Sequence, residues 1–487
     1  MALVTAIVLG AAVLRWFLIG AKPLWLDESF SYWMARQPLE DVWGWLVRID
    51  QHPPLYYLVL HGWIGVLGDS EVALRSLSAV CSLLAVPIVY RLGRAIGGAR
   101  VGILTAALVA TSPLQIQYAQ ETRMYGLLTL FTALAMWGLA VMVRRSGRGS
   151  DPQGWDLLKP WAAYVIGTAG ALLTHNTAVL FWAATWLAGW PYWSQGVRNR
   201  RVRRSWLTAQ AAILAIWAIW LPSFVRQSLM VYREFWIQPP TLGTIVWTFQ
   251  GFYSAFVGDA FPLRPLVDLW VWPWLILGLL RWRHDRRWPV YLASLWLVAP
   301  LGELVVSIWR PIFYLRTLMW VSVPVLLIVA VGVDAVRSAK WRRVVLAGLL
   351  LIHLGGAANY YFFFEKEAWD EAAAYVAERV QPRDLLLFNA TWVQIPFDYY
   401  FRRYDVEAVE HGVPVDLFDA GVLEPKMTWE DVPRLESLVA ERRRIWLIYS
   451  HNWYTDPEGI IPAVLGREAR LQEIQRFRGL AVYFYER

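Results

Sequence analysis

The sequence predicts an α-helical polytopic membrane protein that ends in a small α/β domain. The chain of 487 residues is 57% hydrophobic and only 17% charged, whereas a soluble protein typically has about a quarter charged residues. It contains 32 Trp residues, and Trp favours the headgroup level of a bilayer. From about Glu365 onward, segments with helix and strand patterns alternate, which is typical of a small α/β domain.

Apolar segments long enough to cross a bilayer follow one another through the first three quarters of the chain. A span needs roughly 20 mostly apolar residues. Spans are predicted near residues 2–20, 72–92, 101–117, 124–143, 160–175, 177–194, 206–223, 266–281, 288–308, 313–333 and 343–363, which makes about 11 transmembrane helices. The first lacks the basic region of a signal peptide, so we interpret it as an uncleaved span. Arg15, near its outer end, is predicted to snorkel to the interface.

Basic residues are concentrated in alternate loops. They are Arg91, Arg94 and Arg100; Arg144, Arg145 and Arg148; Arg198, Arg200, Arg201, Arg203 and Arg204; Arg281, Arg283, Arg286 and Arg287; and Arg337, Lys340, Arg342 and Arg343. The positive-inside rule makes these loops cytoplasmic. The N-terminus is then cytoplasmic, whereas the 22–57 loop and, after an odd number of spans, the C-terminal domain are extracytoplasmic. Because topology explains the net charge of +8, no nucleic-acid partner is predicted.

The outward loop 22–57 begins with an acidic pair, Asp27 and Glu28. Carboxylates at the edge of a membrane are costly to desolvate, so they usually have a function or a partner. The alternative is that Asp27 or Ser29 is simply the N-cap of a short helix through Ala35. Residues 38–49 have the amphipathic pattern of a helix lying on the membrane, and residues 55–67 are predicted to be interfacial or re-entrant. The aromatic stretch 225–262 is predicted to form either a mobile lid or interfacial packing.

The C-terminal domain is predicted to span 365–487, after a membrane domain of residues 1–364 with juxtamembrane helices. Its predicted helices cover residues 367–380 and 429–442, and its predicted strands cover 384–388, 445–449 and 481–485. Roughly 120 residues are enough to fold as a unit. The C-terminal domain has no phosphate loop, zinc pattern or catalytic triad. The only cysteine of the chain, Cys81, lies in the membrane domain and is predicted to be a small buried hydrophobe.

Polar side chains recur at the ends of the spans that are predicted to face outward. They are Asp27, Glu28, His52, Gln120, Glu121, Arg123, Tyr125, Arg310, Tyr314 and Arg316. An arginine fork matches phosphate oxygens and stays charged in a low dielectric, and a carboxylate can take the proton from an attacking hydroxyl. The set is therefore suited to transferring a group from a lipid phosphate. In the alternative interpretation, Glu121 and Arg123 neutralise neighbours, and Arg310 and Arg316 snorkel.

Four motifs resemble those of the C-type (GT-C) glycosyltransferase superfamily. Leu26-Asp27-Glu28-Ser29 resembles its acidic motif, and His52-Pro53-Pro54-Leu55-Tyr56-Tyr57 resembles the His-Pro-Pro-Leu of protein O-mannosyltransferases and the Lys-Pro-Pro of lipid A aminoarabinose transferases. Residues 71–94 are similar to the second span of these families, and residues 118–125 resemble a segment typical of bacterial glycosyltransferase family 39. The resemblance covers about the first 130 residues well, is weaker around residues 173–175 and 310–324, and does not extend to the C-terminal domain.

The resemblance implies a GT-C fold and an inverting transferase that takes a hexosyl or pentosyl unit from a polyprenyl-phosphate sugar. Asp27 corresponds to the family's catalytic base and Glu28 to its acidic neighbour, which orients the acceptor or a divalent metal ion. Arg123 corresponds to the arginine that faces the donor phosphate, and His52 stands near that phosphate. Tyr314 and Arg316 match late phosphate contacts. His175 occupies a position that is often His in relatives, although a satisfied core histidine explains it equally well.

The sequence therefore predicts a glycosyltransferase of the cell membrane that acts on the extracytoplasmic face. Its partners are a polyprenyl-phosphate sugar donor and an acceptor glycan, lipid or protein. One alternative is a polytopic lipid transporter or flippase, which would place charges near mid-membrane and repeat broken helices in two halves. Another is a non-catalytic envelope-assembly subunit, which would tolerate the loss of Asp27.

Overall fold

The computed structural model describes residues 1–49, 52–146, 158–197, 199–230, 237–256, 264–282, 285–417, 419 and 425–487. Among the residues considered above, Arg148, Arg198 and Arg283, and parts of the stretch 225–262, lie outside this part of the chain. Two compact units are formed. The helical unit comprises Met1–Ile19, His52–Tyr56 and Arg75–Phe364, and the mixed unit comprises Gly20–Gln51, Tyr57–Leu74 and Glu365–Arg487.

The α-helices are numbered along the chain. They are α1 (Ala2–Trp16), α2 (Leu26–Arg36), α3 (Leu39–Arg48), α4 (Leu55–Leu67), α5 (Glu71–Gly97), α6 (Ala99–Thr111), α7 (Pro113–Ala119), α8 (Tyr125–Ser146), α9 (Leu158–Leu172), α10 (Ala178–Ala188), α11 (Trp190–Trp193), α12 (Arg200–Trp217), α13 (Leu221–Met230), α14 (Leu242–Ser254), α15 (Arg264–Leu280), α16 (Arg287–Ser307), α17 (Ser322–Asp334), α18 (Ala339–Phe362), α19 (Trp369–Ala377), α20 (Gln394–Phe401), α21 (Val432–Val439), α22 (Asn452–Thr455) and α23 (Ile460–Glu468). Short 3₁₀ helices cover Ser194–Val197, Leu315–Val321, Thr391–Val393 and Trp429–Asp431.

Five helical segments of the described chain are long and apolar enough to cross a membrane: Glu71–Gly97, Tyr125–Arg145, Arg287–Ser307, Leu315–Asp334 and Ala339–Phe362. Two bent pairs raise this number to 7 if each pair is one span: α6 with α7, bent by 56°, and α12 with α13, bent by 71°. The predicted multi-pass helical membrane protein is confirmed, whereas the finer number of about 11 spans stays a prediction.

Small residues allow two helix pairs of the helical unit to approach closely. A Cβ atom on Gly138 of α8 would collide with the carbonyl oxygen of Pro160 in α9, and one on Gly332 of α17 would collide with that of Trp274 in α15. Close backbone approach at small residues is how membrane helices gain packing contacts without a hydrophobic driving force. Every residue from Ser322 to Val333 of α17 is buried, so α17 lies inside the helical unit.

Arg15 does not snorkel as predicted. Its side chain is completely buried. Its Nε donates to Ser82 Oγ at 2.9 Å and its Nη1 donates to the carbonyl oxygen of Ala110 at 3.0 Å. A buried guanidinium needs such acceptors because an unsatisfied buried charge is strongly destabilising. Arg15 therefore links α1 to α5 and α6 in the core of the helical unit.

The mixed unit contains a five-stranded sheet in the order β2-β1-β3-β5-β4. The strands are β1 (Leu385–Asn389), β2 (Val409–Val413), β3 (Arg444–Ser450), β4 (Arg470–Phe477) and β5 (Leu480–Glu486). β1 pairs in parallel with β2 and with β3, with Leu385 opposite Val409 and Ile445. The pairs β3–β5 and β5–β4 are antiparallel. All five residues of β1 are buried, as expected for a central parallel strand covered on both faces.

The strands predicted at residues 384–388, 445–449 and 481–485 are confirmed within one residue at each end. β4 was missed because its exposed sequence, Arg470 to Phe477, shows no apolar alternation, and β2 was missed because only its last two residues are buried. The helix predicted at 367–380 is α19. The one predicted at 429–442 is a 3₁₀ turn followed by α21, which ends at Val439.

The amphipathic helix predicted at residues 38–49 is confirmed as a helix. α3 buries Val42 and Leu46 and exposes Leu39 and Trp43, so its amphipathic pattern is real, although its position on a membrane stays a prediction. Residues 55–67 form the helix α4, and whether this helix is interfacial or re-entrant stays a prediction. In the described part of the stretch 225–262 the chain forms the end of α13 and then α14, and its role as a lid or as packing stays a prediction.

Candidate functional site

The acidic motif forms the first turn of α2 in the mixed unit. The N-cap residue is Trp25, with no side-chain cap, so Asp27 and Glu28 both lie inside the first turn and neither Asp27 nor Ser29 is the N-cap. Carboxylates are favoured there by the helix dipole. Asp27 is half-buried, whereas Glu28 and Ser29 are buried. The simple N-cap interpretation is therefore wrong.

Glu28 forms a buried ion pair with Lys366, a residue that the sequence analysis did not select. The Nζ atom of Lys366 donates to Glu28 Oε2 at 2.7 Å, and the two side chains are 3% and 0% exposed. Lys366 is held in turn because its carbonyl oxygen accepts a hydrogen bond from Arg478 Nε at 2.8 Å. An ammonium and a carboxylate that are both desolvated need each other, because either one alone would be an uncompensated buried charge.

Two more contacts within the mixed unit fix the chain just before Asp27. The backbone N–H of Leu24 donates to the hydroxyl of Tyr400 at 2.6 Å, and that of Leu26 donates to Glu367 Oε2 at 3.4 Å. Glu367 also accepts from Trp369 Nε1 at 2.6 Å, and its other oxygen lies 3.2 Å from His451 Nε2. Together with the ion pair of Glu28 and Lys366, these contacts hold the chain both before and after Asp27.

In the helical unit, a second group of predicted residues surrounds two histidines. The rings of His52 and His175 are 5.2 Å apart between centroids. The backbone N–H of Leu55 donates to the carbonyl oxygen of Leu173 at 3.1 Å, which holds the His-Pro-Pro turn beside the connection between α9 and α10. His175 Nδ1 is engaged by Thr177, whose backbone N–H donates to it at 3.2 Å. The structure thus brings together two residues that are far apart in the sequence.

Arg123 and Tyr125 lie next to this histidine pair. The Tyr125 ring is 5.9 Å from His175 and 4.9 Å from Tyr118 between centroids, and the Arg123 guanidinium carbon is 6.0 Å from the Tyr125 ring centre. The carbonyl oxygen of Arg123 accepts a hydrogen bond from Ser78 Oγ at 2.9 Å. Arg123 is only 4% exposed. Glu121 is also buried and accepts from Gln117 Nε2 at 3.1 Å.

Arg316 contributes a further cation to the same group. Its guanidinium carbon is 5.0 Å from the ring centre of Tyr314, and its charge interacts with both His175 and Tyr118. We call His52, Arg123, Tyr125, His175, Tyr314 and Arg316 the cationic cluster. Arg310, also predicted, is half-buried after α16, and its backbone N–H donates to the carbonyl oxygen of Val306 at 2.9 Å.

Several residues that support the cationic cluster were not selected by the sequence analysis. The 3₁₀ turn that presents Arg316 is tied to α16 because Thr317 Oγ1 donates to the buried Glu303 at 3.0 Å. Gln120, which was selected, has a structural role: its Nε2 donates to the carbonyl oxygens of Arg15 and Phe17 at 3.0 and 2.7 Å. The sequence did contain one signal for Glu303, because a lone carboxylate inside an apolar run usually has a function or a partner.

The residues around Glu28 do not favour a divalent metal ion at that side chain. Among the described residues, no group of three or more His, Cys, Asp or Glu side chains could hold a metal ion. Glu28 Oε2 already faces the Lys366 ammonium at 2.7 Å, and a cation beside an ammonium is repelled.

These features define a multi-pass membrane protein with the fold of the C-type glycosyltransferase superfamily. Residues 51–222 match the family model of dolichyl-phosphate-mannose-protein mannosyltransferase. This range includes three of the four motifs that suggested the resemblance and excludes the acidic motif at Asp27. The predicted resemblance is confirmed.

Two solved structures with this fold cover nearly the whole chain. The apo structure of ArnT from Cupriavidus metallidurans is 14% identical with a TM-score of 0.66, over 99% of this chain and 97% of that one. AglB, an archaeal oligosaccharyltransferase from Archaeoglobus fulgidus, was solved with an inhibitory peptide and a dolichol-phosphate. It is 11% identical with a TM-score of 0.54, over 99% of this chain and 74% of that one. Comparison with curated proteins finds no match.

Proposed function

We propose that this protein is an inverting glycosyltransferase that moves a sugar from a polyprenyl-phosphate donor to an acceptor hydroxyl on the extracytoplasmic face of the membrane. The main support is the cationic cluster, in which Arg123 and Arg316 lie around the paired rings of His52 and His175. Two guanidinium groups in a largely buried polar site are suited to a phosphate, whose oxygens accept paired N–H bonds.

The likeness to two ligand-bound structures is consistent with such a donor. ArnT from Cupriavidus metallidurans was also solved bound to undecaprenyl phosphate, and that structure has a TM-score of 0.60 to this chain at 14% identity, over 99% of this chain and 97% of that one. AglB was solved with a dolichol-phosphate. Both ligands are polyprenyl phosphates, so we assign a lipid of that class, carrying a hexosyl or pentosyl unit, to this chain as its donor.

The proposed reaction is a single displacement at the anomeric carbon. The acceptor oxygen forms a bond to that carbon while the bond from the carbon to the phosphate oxygen breaks. The hydroxyl proton passes to the carboxylate of Asp27, and the electron pair leaves with the polyprenyl phosphate. Arg123 and Arg316 stabilise the negative charge that grows on the phosphate. Because a phosphate is a good leaving group, one carboxylate base is enough, unlike the acid–base pair of most glycoside hydrolases.

Glu28 is assigned a positioning role in this scheme. Its ion pair with Lys366 and the hydrogen bond from Leu26 to Glu367 hold the first turn of α2. Fixed positioning of a catalytic group contributes to rate because the orientation does not have to be found in each turnover. The C-terminal residues 365–487 are proposed to shape access of the acceptor, which is a glycan, a lipid or a protein.

Transfer can be tested with the full-length protein in nanodiscs and a panel of polyprenyl-phosphate hexoses and pentoses. Mass spectrometry of cell-envelope glycans and lipids, with and without the protein, identifies the acceptor to add. We expect a glycosylated acceptor and an equal amount of free polyprenyl phosphate, with inversion at the anomeric carbon. Movement of donor lipid between leaflets without any cleavage of the sugar–phosphate bond would instead indicate the flippase alternative.

The proposed orientation can be tested separately by cysteine labelling. Cys81 is removed and single cysteines replace the exposed residues Glu40 and Glu436, which both belong to the mixed unit. A membrane-impermeant maleimide added outside intact cells should label both positions, because the mixed unit is proposed to be extracytoplasmic. Labelling of both only after lysis would reverse the orientation and would contradict an outward-facing reaction.

A further inference from the structure

Four arginines that are far apart in the sequence line one cavity of the helical unit. The cavity has a volume of about 390 Å³. Arg94 comes from α5, Arg144 from α8, Arg281 from the end of α15 and Arg287 from the start of α16. Three of the five basic loops therefore meet at one place, and none of the four arginines belongs to the cationic cluster.

The charge of this cavity is only partly neutralised by the protein. Arg287 is paired with Asp285, to which its Nη2 donates at 2.6 Å, and the lining residue Asp334 is paired with Arg100 at 3.2 Å. Arg94 and Arg281 form no ion pair with any carboxylate of the described chain. A half-open cleft with excess guanidinium charge attracts an anion, and the planar forks of arginine match phosphate oxygens.

The rest of the cavity is suited to a lipid rather than to a free ion. Trp282, Trp288, Ile96, Val101 and Val331 line it together with the arginines, and Trp favours the membrane interface. Exposed apolar side chains also lie on the last turns of α15 next to Arg281: Ile276, Leu277 and Leu280 are 50%, 37% and 59% exposed. A ligand with a phosphate at one end and acyl chains at the other fits this surface.

We propose that this cavity binds the phosphate of an anionic membrane lipid. Basic pockets between transmembrane helices are a known means of holding such headgroups, and each arginine near the membrane surface adds to the attraction. The site is independent of the proposed transferase reaction, since it shares no residue with Asp27 or the cationic cluster. Bound lipid would connect α5, α8, α15 and α16 at their basic ends, and should therefore also stabilise the helical unit.

The test compares binding of phosphatidylglycerol and phosphatidylcholine by the full-length protein in neutral detergent, using native mass spectrometry and thermal unfolding. Phosphatidylglycerol should bind saturably and raise the unfolding temperature, and phosphatidylcholine should do so much less. The double variant Arg94→Gln with Arg281→Gln should weaken phosphatidylglycerol binding by about tenfold or more. The matched control, Arg337→Gln with Lys340→Gln, removes two exposed charges outside the cavity and should bind as the wild type does.

The following results would overturn the proposal. Equal binding by the double variant, or an equal loss in the control, would mean that the lipid responds to overall charge rather than to the cavity. Displacement of the lipid by inorganic phosphate at a similar concentration would make the ligand a free anion. If the double variant does not fold, the single variants Arg94→Lys and Arg281→Lys keep the charge and lose the fork. They should still weaken phosphatidylglycerol binding, and wild-type binding by both would also exclude the site.

Discussion

The ammonium of Lys366 lies 2.7 Å from a carboxylate oxygen of Glu28, and both side chains are buried. The two residues are separated by 338 positions in the chain, so this contact joins the acidic turn of α2 to the segment before α19. Glu28 thus has a structural partner directly beside the proposed catalytic base. A change at Glu28 should therefore be measured as an effect on folding before it is interpreted as an effect on chemistry.

Glu28→Gln should lower the free energy of unfolding by about 3–5 kcal/mol, because it removes the negative charge that compensates the buried Lys366 ammonium. The double variant Glu28→Leu with Lys366→Met removes both charges, and its free energy of unfolding should fall much less than that of Glu28→Gln. The measurement is denaturant unfolding of the purified protein in detergent. The control is Glu378→Gln, which breaks the exposed pair of Glu378 with Arg379 and should cost about 0–1 kcal/mol. Equal stability of Glu28→Gln and Glu378→Gln would contradict a structural role for the buried pair.

Asp27→Asn should lower turnover by about 10²–10⁴-fold, because the amide keeps the size of the side chain but cannot accept the hydroxyl proton. Donor binding should be unchanged, since the phosphate contacts are assigned to Arg123 and Arg316. Glu40→Gln removes an exposed carboxylate on α3 and serves as the control with wild-type turnover. Near wild-type turnover in Asp27→Asn would remove Asp27 as the base, and joint loss of binding and turnover would indicate a structural role.

Arg123→Lys should weaken donor binding because it keeps the charge but loses the fork, and Arg123→Ala should be worse. Loss of one charge-assisted contact costs about 1.5–3 kcal/mol, which is roughly ten- to a hundredfold in affinity. Isothermal titration calorimetry with the polyprenyl-phosphate sugar measures this affinity. Arg75→Lys is the matched control, since Arg75 is a buried arginine of the same unit that donates to Ile19 at 2.9 Å; it should reduce stability and leave affinity intact. Wild-type affinity in both Arg123 variants would make Arg123 structural.

The carboxyls of Asp398 and Glu410 in the mixed unit should make stability depend on pH. Burial, and then the neighbouring Glu410, raises the pKa of Asp398 well above its usual range, and burial also raises the pKa of Glu410. A carboxyl whose pKa is higher in the folded state than in the unfolded state favours folding while it is protonated. This contribution is present below the unfolded pKa, near 4 for Asp, and is lost as the pH rises through the raised folded value.

Asp398→Asn should therefore unfold at a higher temperature than the wild type at neutral and alkaline pH, with a difference that shrinks as the pH falls. Thermal unfolding of the full-length protein between pH 4 and pH 9 measures this, with the exposed Glu436→Gln as the control that follows the wild type. A difference that is the same at every pH would show that the effect comes from packing and not from titration.

Much of the fold follows from local patterns in the sequence. Long apolar runs predicted the spans of α5, α8, α16, α17 and α18, because a helix that crosses a bilayer must be apolar over its length. Alternation and apolar runs located β1, β3 and β5 within one residue. The amphipathic spacing of residues 38–49 predicted α3, and the four motifs predicted the superfamily. Each of these signals lies within one short segment, where side-chain periodicity is visible.

The tertiary structure alone decided which distant residues meet. Nothing local to Lys366 indicates that it will pair with Glu28, and the nearness of His52 to His175 depends on how the α9–α10 connection folds. Arg15 lies near a predicted helix end, where snorkelling is the default, yet Ser82 and Ala110 provide acceptors inside the core. Likewise, the basic loops predict one side of the membrane, but only the packing of α5, α8, α15 and α16 brings arginines from their ends to one cavity. Such contacts depend on side chains separated by tens to hundreds of positions, and the periodicity of a single segment contains no information about them.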